Sequence, residues 1–137
     1  MTSLLTPYLS FRTEAREAME FYHQVFGGEL SVNTFGEFGM AEEGSADLIM
    51  HAQLETPSGF TLMGADTPPG MDYTPGNNIT VALSGDDVEQ LRSYFEQLTE
   101  GGTVSVPLEK QMWGDEYGAC VDRFGIPWMA NISTPSA

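Results

Sequence analysis

Few side chains in this 137-residue chain could do chemistry. His51 stands in "LIMHAQL", a strand-like stretch at residues 48–54. An imidazole can donate, accept or act as a base, so His51 is either a cross-strand residue satisfied by hydrogen bonds or a base and hydrogen-bonder in a cavity. Period-2 alternation puts it on one face with Gln53, and that face is expected to be concave and to carry Tyr8. His23, beside Tyr22 and Gln24, reads as a surface residue. Asp66 follows a strand and opens a segment rich in Pro and Gly. There it could reach a cavity mouth, although an Asp at such a place commonly starts a turn. Cys120 is the single cysteine, so it makes no internal disulfide and no CxxC site. With no base placed to activate it, it reads as a packed thiol.

Aromatic and thioether side chains supply the other candidates. Trp113, Tyr117 and Trp128 lie close together in sequence. On strands such residues usually pack in a core, and some line apolar ligand sites with a polar tip. Met40, Met63, Met112 and Met129 would make such a site adaptable. The candidate ligand-binding set is Tyr8, His51, Met63, Trp113, Tyr117 and Met129. No G-x-G-x-x-G follows a strand, and no βαβ unit is present to cradle a nucleotide-like cofactor. No cofactor is expected.

Charge narrows the partners. Twenty acidic residues stand against 5 basic ones, a formal net charge of −15. Phosphate contacts require cations, so nucleic acid and anionic membrane surfaces are excluded as partners. The scattered acids read as a solvated surface that keeps the chain soluble; attraction of a cationic small molecule is the sharper reading, which charge alone does not support. No apolar run reaches the roughly 18–20 residues of a membrane span. "MTSLLTPYLSF" lacks the basic start and cleavage site of a signal peptide. A cytoplasmic protein is expected.

The candidates must be positioned by two similar halves. "TEAREAMEFYHQVFGG" (13–28) predicts a helix capped by Thr13, with Ala15, Ala18, Met19, Tyr22, Val25 and Phe26 on its buried face. "DDVEQLRSYFEQLTEGG" (86–102) predicts a second, with an Asp86–Glu89 capping box and a stripe of Val88, Leu91, Phe95 and Leu98. Each ends in Gly-Gly, where a helix stops. A short strand precedes each, at 4–11 and 78–84. Three strands are expected after each: Glu29–Phe35, Asp47–Glu55 and Phe60–Ala65, then Thr103–Leu108, Tyr117–Asp122 and Ile126–Ile132. In the last hairpins Gly59 matches Gly125 and Met63 matches Met129. The shared order predicts a repeat. Module 1 covers about 1–65 and module 2 about 78–133, joined by a Pro/Gly linker at 66–77 and together expected to form a single domain. "GEFGMAEEGSAD" (36–47) reads as a loop or flap.

Two βαβββ halves joined by such a linker resemble the vicinal oxygen chelate superfamily of glyoxalases, bleomycin-resistance proteins and dioxygenases. Within it the chain is most similar to the PhnB-like group, also labelled 3-demethylubiquinone-9 3-methyltransferase-like. The resemblance rests on "PYLSF" (7–11), "EAMEFYHQVFGGEL" (17–30), "IMHAQL" (49–54), "LMGADTPPG" (62–70) and "WGDEYGACVDRFGIPWMANI" (113–132). It implies an α+β fold whose two modules form an open barrel or U-shaped cavity, and a homodimer. It leaves the reaction open, because this fold hosts unrelated activities.

Metal-dependent relatives place ligands on the first and last strands of each half, with a carboxylate four residues after the turn glycine. Those last-strand places here are Met63 and Met129. Counting back from the helix caps reaches Thr6 or Pro7 and Ile79 or Thr80, and a shift of one or two residues reaches Tyr8 or Asn78. A thioether is too soft to replace a carboxylate on a hard divalent ion. No metal is expected at that site. Three functions follow: a metal-independent protein that binds a small molecule; a metal-dependent lyase, isomerase or dioxygenase with a displaced site built from His51, Asp66 or the acids of 36–47; and a bleomycin-resistance-type drug-binding protein.

Overall fold

The computed structural model describes residues 3–39 and 46–133. The chain divides into two compact units, Met1–Pro75 and Gly76–Ala137. The first holds β1 (Tyr8–Phe11), α1 (Ala15–Phe26), β2 (Glu29–Thr34), a 3₁₀ turn at Gly36–Phe38, β3 (Ile49–Glu55) and β4 (Thr61–Asp66). The second holds β5 (Val81–Gly85), α2 (Val88–Thr99), β6 (Thr103–Lys110), β7 (Glu116–Val121) and β8 (Pro127–Ile132). Each is a βαβββ module with one four-stranded mixed sheet, ordered β1-β4-β3-β2 and β5-β8-β7-β6. The first strand of each module runs parallel to the last, and the other pairs are antiparallel. The fold is α+β, with the two βαβββ modules expected from the sequence.

Helix periodicity meets strand alternation on one face of each sheet. In the first module Ala15, Ala18, Met19, Phe21, Tyr22, Val25 and Phe26 of α1 are buried. So are Leu9, Phe11, Ala52, Leu54 and Leu62, the strand residues of matching parity. In the second, Leu91, Tyr94, Phe95 and Leu98 of α2 are buried, with Leu83, Cys120, Trp128, Ala130 and Ile132 of the sheet. Val88, expected in the α2 stripe, is only half-buried because it opens the helix.

The expected Gly-Gly stops have a steric reason. A Cβ on Gly28 would lie 2.0 Å from the Glu55 carbonyl oxygen, and one on Gly102 would lie 2.3 Å from that of Val121. Both glycines let the helix exit pass hard against the end of β3 or β7.

The helix starts depart from expectation. Thr13 does not cap α1: Glu14 stands at the N-cap, without a side-chain cap bond. The Ala15 N–H instead donates to Asp66 Oδ1 at 2.8 Å, from the end of β4. In α2 the cap is Asp87, one residue past the expected Asp86, and its Oδ1 accepts from the Gln90 N–H at 3.2 Å. Beyond β4 the linker turns back on β1. Thr67 Oγ1 donates to the Phe11 carbonyl at 2.9 Å, and the Arg12 guanidinium lies 5.1 Å from the Tyr73 ring centroid.

Candidate functional site

The helix-free face of each sheet holds the polar and thioether candidates. In the first module one row across the strands runs Tyr8, Met63, Gln53 and Ser31, fixed by the pairings of Tyr8 and of Gln53 with Met63 and of Ser31 with Gln53. The next row pairs Ser10 with Ala65 and Asn33 with His51. A register shift at Asn33/Thr34 inserts Met50 as an extra residue on β3. This bulge lets Ile49 turn into the core while His51 stays on the helix-free face.

His51 and Tyr8 meet there. Tyr8 Oη and His51 Nδ1 are 3.3 Å apart, and their ring centroids are 5.8 Å apart. Burial pushes the Tyr8 phenol above its ordinary pKa, so the hydroxyl keeps its proton at neutral pH. The phenol can donate to Nδ1, or accept from it in the other tautomer. Tyr8 is 51% exposed, and His51 and Met63 are half-buried. The three form a polar pair over a thioether, open on the helix-free side of their module. Gln53 and Asn33 join them, with amides held by Glu55 Oε1 at 2.9 Å and Glu37 Oε2 at 3.3 Å.

In the second module the matching rows are Ala82, Met129 and Ala119, then Ser84, Asn131 and Tyr117. The 66-residue step from Met63 to Met129 therefore carries His51 onto Tyr117 and Gln53 onto Ala119. Trp113, at the tip of the β6–β7 hairpin, lies with its ring centroid 6.5 Å from that of Tyr117. Asn131 Nδ2 donates to Asp115 Oδ2 at 3.0 Å. Trp128 has the opposite parity and is core, 1% exposed, with its indole N–H donating to Asp122 Oδ2 at 2.9 Å. Met40 lies outside the described residues, as do the acids Glu42 and Glu43 of the 36–47 loop.

Two candidates leave the chemistry. Asp66 is 7% exposed on the helix side, and its carboxylate accepts from the backbone N–H groups of Ala15 and, at 2.9 Å, Ile49. It therefore faces away from His51, and parity alone keeps the two from sharing a displaced site. Burial pushes its pKa up, against those two bonds that lower it. Cys120 is buried, and its thiol is pushed up to about 11, first by burial and then by the Asp122 charge. His23 is tied locally, with Nε2–H donating to the Gly28 carbonyl at 2.9 Å.

The Asn33, Ser84 and Asn131 members of these faces escaped the sequence reading. The signal for them was strand parity: Asn33 follows Ser31, Ser84 follows Ala82 and Asn131 follows Met129 by two residues on the same face.

Residues 5–130 match the family model of the Glyoxalase/Bleomycin resistance protein/Dioxygenase superfamily. The chain belongs to this superfamily. Protein YjdN of Escherichia coli is 28% identical over 140 residues, covering 93% of this chain and 94% of that protein. Uncharacterized protein Mb0911c of Mycobacterium bovis is 34% identical over 132 residues, covering 90% of this chain and 79% of that one. Protein PA1353 from Pseudomonas aeruginosa has a crystal structure that superposes with a TM-score of 0.82 at 35% identity, covering 98% of this chain and 100% of that one. The fold is also that of a PhnB protein from Bacillus cereus, with a TM-score of 0.77 at 22% identity, covering 96% and 100%.

For a member of the glyoxalase superfamily, the chelate positions hold unsuitable donors. Met63 has Tyr8 as its neighbour on the first strand, and Met129 has Ala82. The position beside Met129 is thus Ala82, further along the chain than the Ile79 or Thr80 reached by counting from the helix cap. Two thioethers, a protonated phenol and a methyl group do not fit a hard divalent cation. Among the described residues no three of His, Cys, Asp and Glu come together as a metal-binding group. No helix among them is long and apolar enough to cross a membrane.

Proposed function

We propose that this chain is a PhnB-like glyoxalase-superfamily protein that binds a small organic molecule without the metal chelate of its metal-dependent relatives. The Tyr8–His51 pair beside Met63 carries the reading. A hydrogen-bonding pair of mixed donor and acceptor character over a soft apolar group suits recognition of an organic molecule better than ligation of a hard ion. Met129, Tyr117 and Trp113 offer the same combination on the second module. His51 is available as a base or as a hydrogen-bond partner of the ligand.

The test has two arms. Untagged protein, dialysed and subjected to elemental analysis, should hold far less than one equivalent of zinc, nickel, iron or manganese. About one equivalent per chain, lost in His51→Ala, would overturn the reading. A thermal-shift screen of small organic compounds should give hits whose shift falls in both Met63→Ala and Tyr8→Phe.

The protein is further proposed to work as a symmetric homodimer. One helix covers only one face of each four-stranded sheet, so modules must pair to cover the other, within one chain or across two, and the resemblance to the PhnB-like group favours a dimer. Sedimentation equilibrium at micromolar concentration should give twice the mass of one chain; a single-chain mass would contradict the proposal.

A further inference from the structure

Cations are scarce in this chain, and each of the five has a place that keeps it off the helix-free rows. Arg16 lies exposed on α1. Arg92, on α2, holds Glu116 on the helix side through two bonds of 2.9 and 2.7 Å. Lys110 pairs with Glu116 across β6 and β7, on that same side. Arg123 Nε donates to the Glu100 carbonyl at the end of α2, at 3.0 Å. Arg12 lies past the end of β1 and is stacked on Tyr73.

The rows themselves carry Tyr8, Met63, Gln53, Ser31, Ser10, Ala65, His51 and Asn33 in module 1, and Ala82, Met129, Ala119, Ser84, Asn131 and Tyr117 in module 2. Apart from Arg12, which follows Ser10 in strand parity and is stacked on Tyr73 beyond the end of β1, the charged groups bordering them are acids. Glu37 and Glu55 hold the amides of Asn33 and Gln53, Asp115 holds that of Asn131, and Glu109 pairs with Tyr117. Among the described residues no helix N-terminus is directed at this face, because α1 and α2 pack on the other side of their sheets.

We infer that the ligand of the helix-free faces carries no phosphate, carboxylate or sulfonate group, and is an uncharged or protonated organic molecule held by amide, hydroxyl, imidazole and thioether contacts. The inference rests on the site proposed above and names its ligand class. An anion brought to these rows would lose water and meet neighbouring carboxylates, with no guanidinium or ammonium to replace its hydration. The net charge of −15 adds a field of the same sign at longer range. A protonated amine meets the opposite situation on either module, with acids at the border and a cation–π partner in Tyr8 on module 1, or in Tyr117 and Trp113 on module 2.

Three probes of one shape decide the matter: 2-naphthoate, 2-naphthamide and 2-naphthamidine, which are negative, neutral and positive at pH 7. Affinities for the untagged full chain are measured by equilibrium dialysis at low and high salt. The amide and amidine should bind, the naphthoate should bind roughly tenfold more weakly or worse, and salt should weaken the amidine alone. Gln53→Arg, which places a guanidinium in the Tyr8–Met63 row, should bring the naphthoate close to the amide. Ser31→Arg, at the exposed end of the same row, serves if the first variant fails to fold. Naphthoate binding to the wild type as tightly as the amide overturns the ligand class and leaves the site standing. Binding of no probe, or binding untouched by Met63→Ala and Tyr8→Ala whatever the charge, overturns the site and this inference with it.

Discussion

The two modules follow one chain path and secure it with carboxylates at opposite ends. In module 1 the start of α1 is held from 51 residues away, by Asp66 at the end of β4, which also takes the N–H that opens β3. In module 2 the position 66 residues on is Ile132, a plain core residue, and α2 is capped by its own neighbour Asp87. The buried carboxylate has moved to the β7–β8 turn. Asp122 accepts there from the N–H groups of Phe124 and Ile126, at 2.8 and 3.0 Å, and from Trp128 Nε1. Module 1 has Thr56 at that place, whose hydroxyl bonds only within its turn, to Phe60. One backbone design thus tolerates exchange of which end is locked, provided that the buried N–H groups there find an acceptor.

Removing the acceptors should rank these locks. Asp122→Ala leaves three donors unsatisfied around a residue only 3% exposed, and a loss of roughly 4 kcal/mol is expected in urea unfolding. Asp66→Ala strands two buried N–H groups and should cost about 3 kcal/mol. Asp87→Ala removes one exposed cap bond and should cost about 1 kcal/mol. Equal losses for Asp66→Ala and Asp87→Ala would mean that the long-range lock is no stronger than a local cap, and the contrast between the modules would collapse.

A smaller effect separates the modules by pH. Cys120 exists only in module 2, and its folded thiol titrates at about 11, above the ordinary value of 9.0. The unfolded chain ionises first, so stability from this group is complete below pH 9 and declines as pH rises towards 11. Cys120→Ala should remove that part of the alkaline slope while the rest of the pH profile stays unchanged. The smallest effects belong to the helix-free face. His51→Ala and Tyr8→Phe remove a half-exposed contact of 3.3 Å and should each change stability by less than about 0.5 kcal/mol, although both bear on ligand binding.

Local pattern made much of this legible. The α1 stripe and the Gly-Gly stops were written in short spacings, where each side chain signals its own environment, and the repeat in the shared order of strand, helix and three strands. The pairing of Tyr8 with His51 was also readable, because parity in a strand fixes the face. Asp66 was not: its partners lie 51 and 17 residues away, and near a Pro/Gly segment its local signal is that of a turn. The alternation Leu62, Gly64, Asp66 already placed it with the core. The β3 start came two residues later than expected, at Ile49 instead of Asp47, and the bulge at Met50 left no periodic mark. The opposite parity of Trp128 and Met129 was plain in "PWMANI", but which of them faced the helix depended on where α2 packed.

Among the described residues the first strand of each sheet pairs only with the last: β1 with β4, and β5 with β8. A chain leaving the ribosome therefore carries Tyr8–Phe11 without its neighbour until Thr61–Asp66 has been made, a delay of about 3–10 s at ordinary rates of synthesis. The same wait recurs for Val81–Gly85. Synthesis is thus punctuated by two intervals in which a short edge strand stands open to foreign pairing, and the exposed polar residues Ser10 and Ser84 lie on those strands.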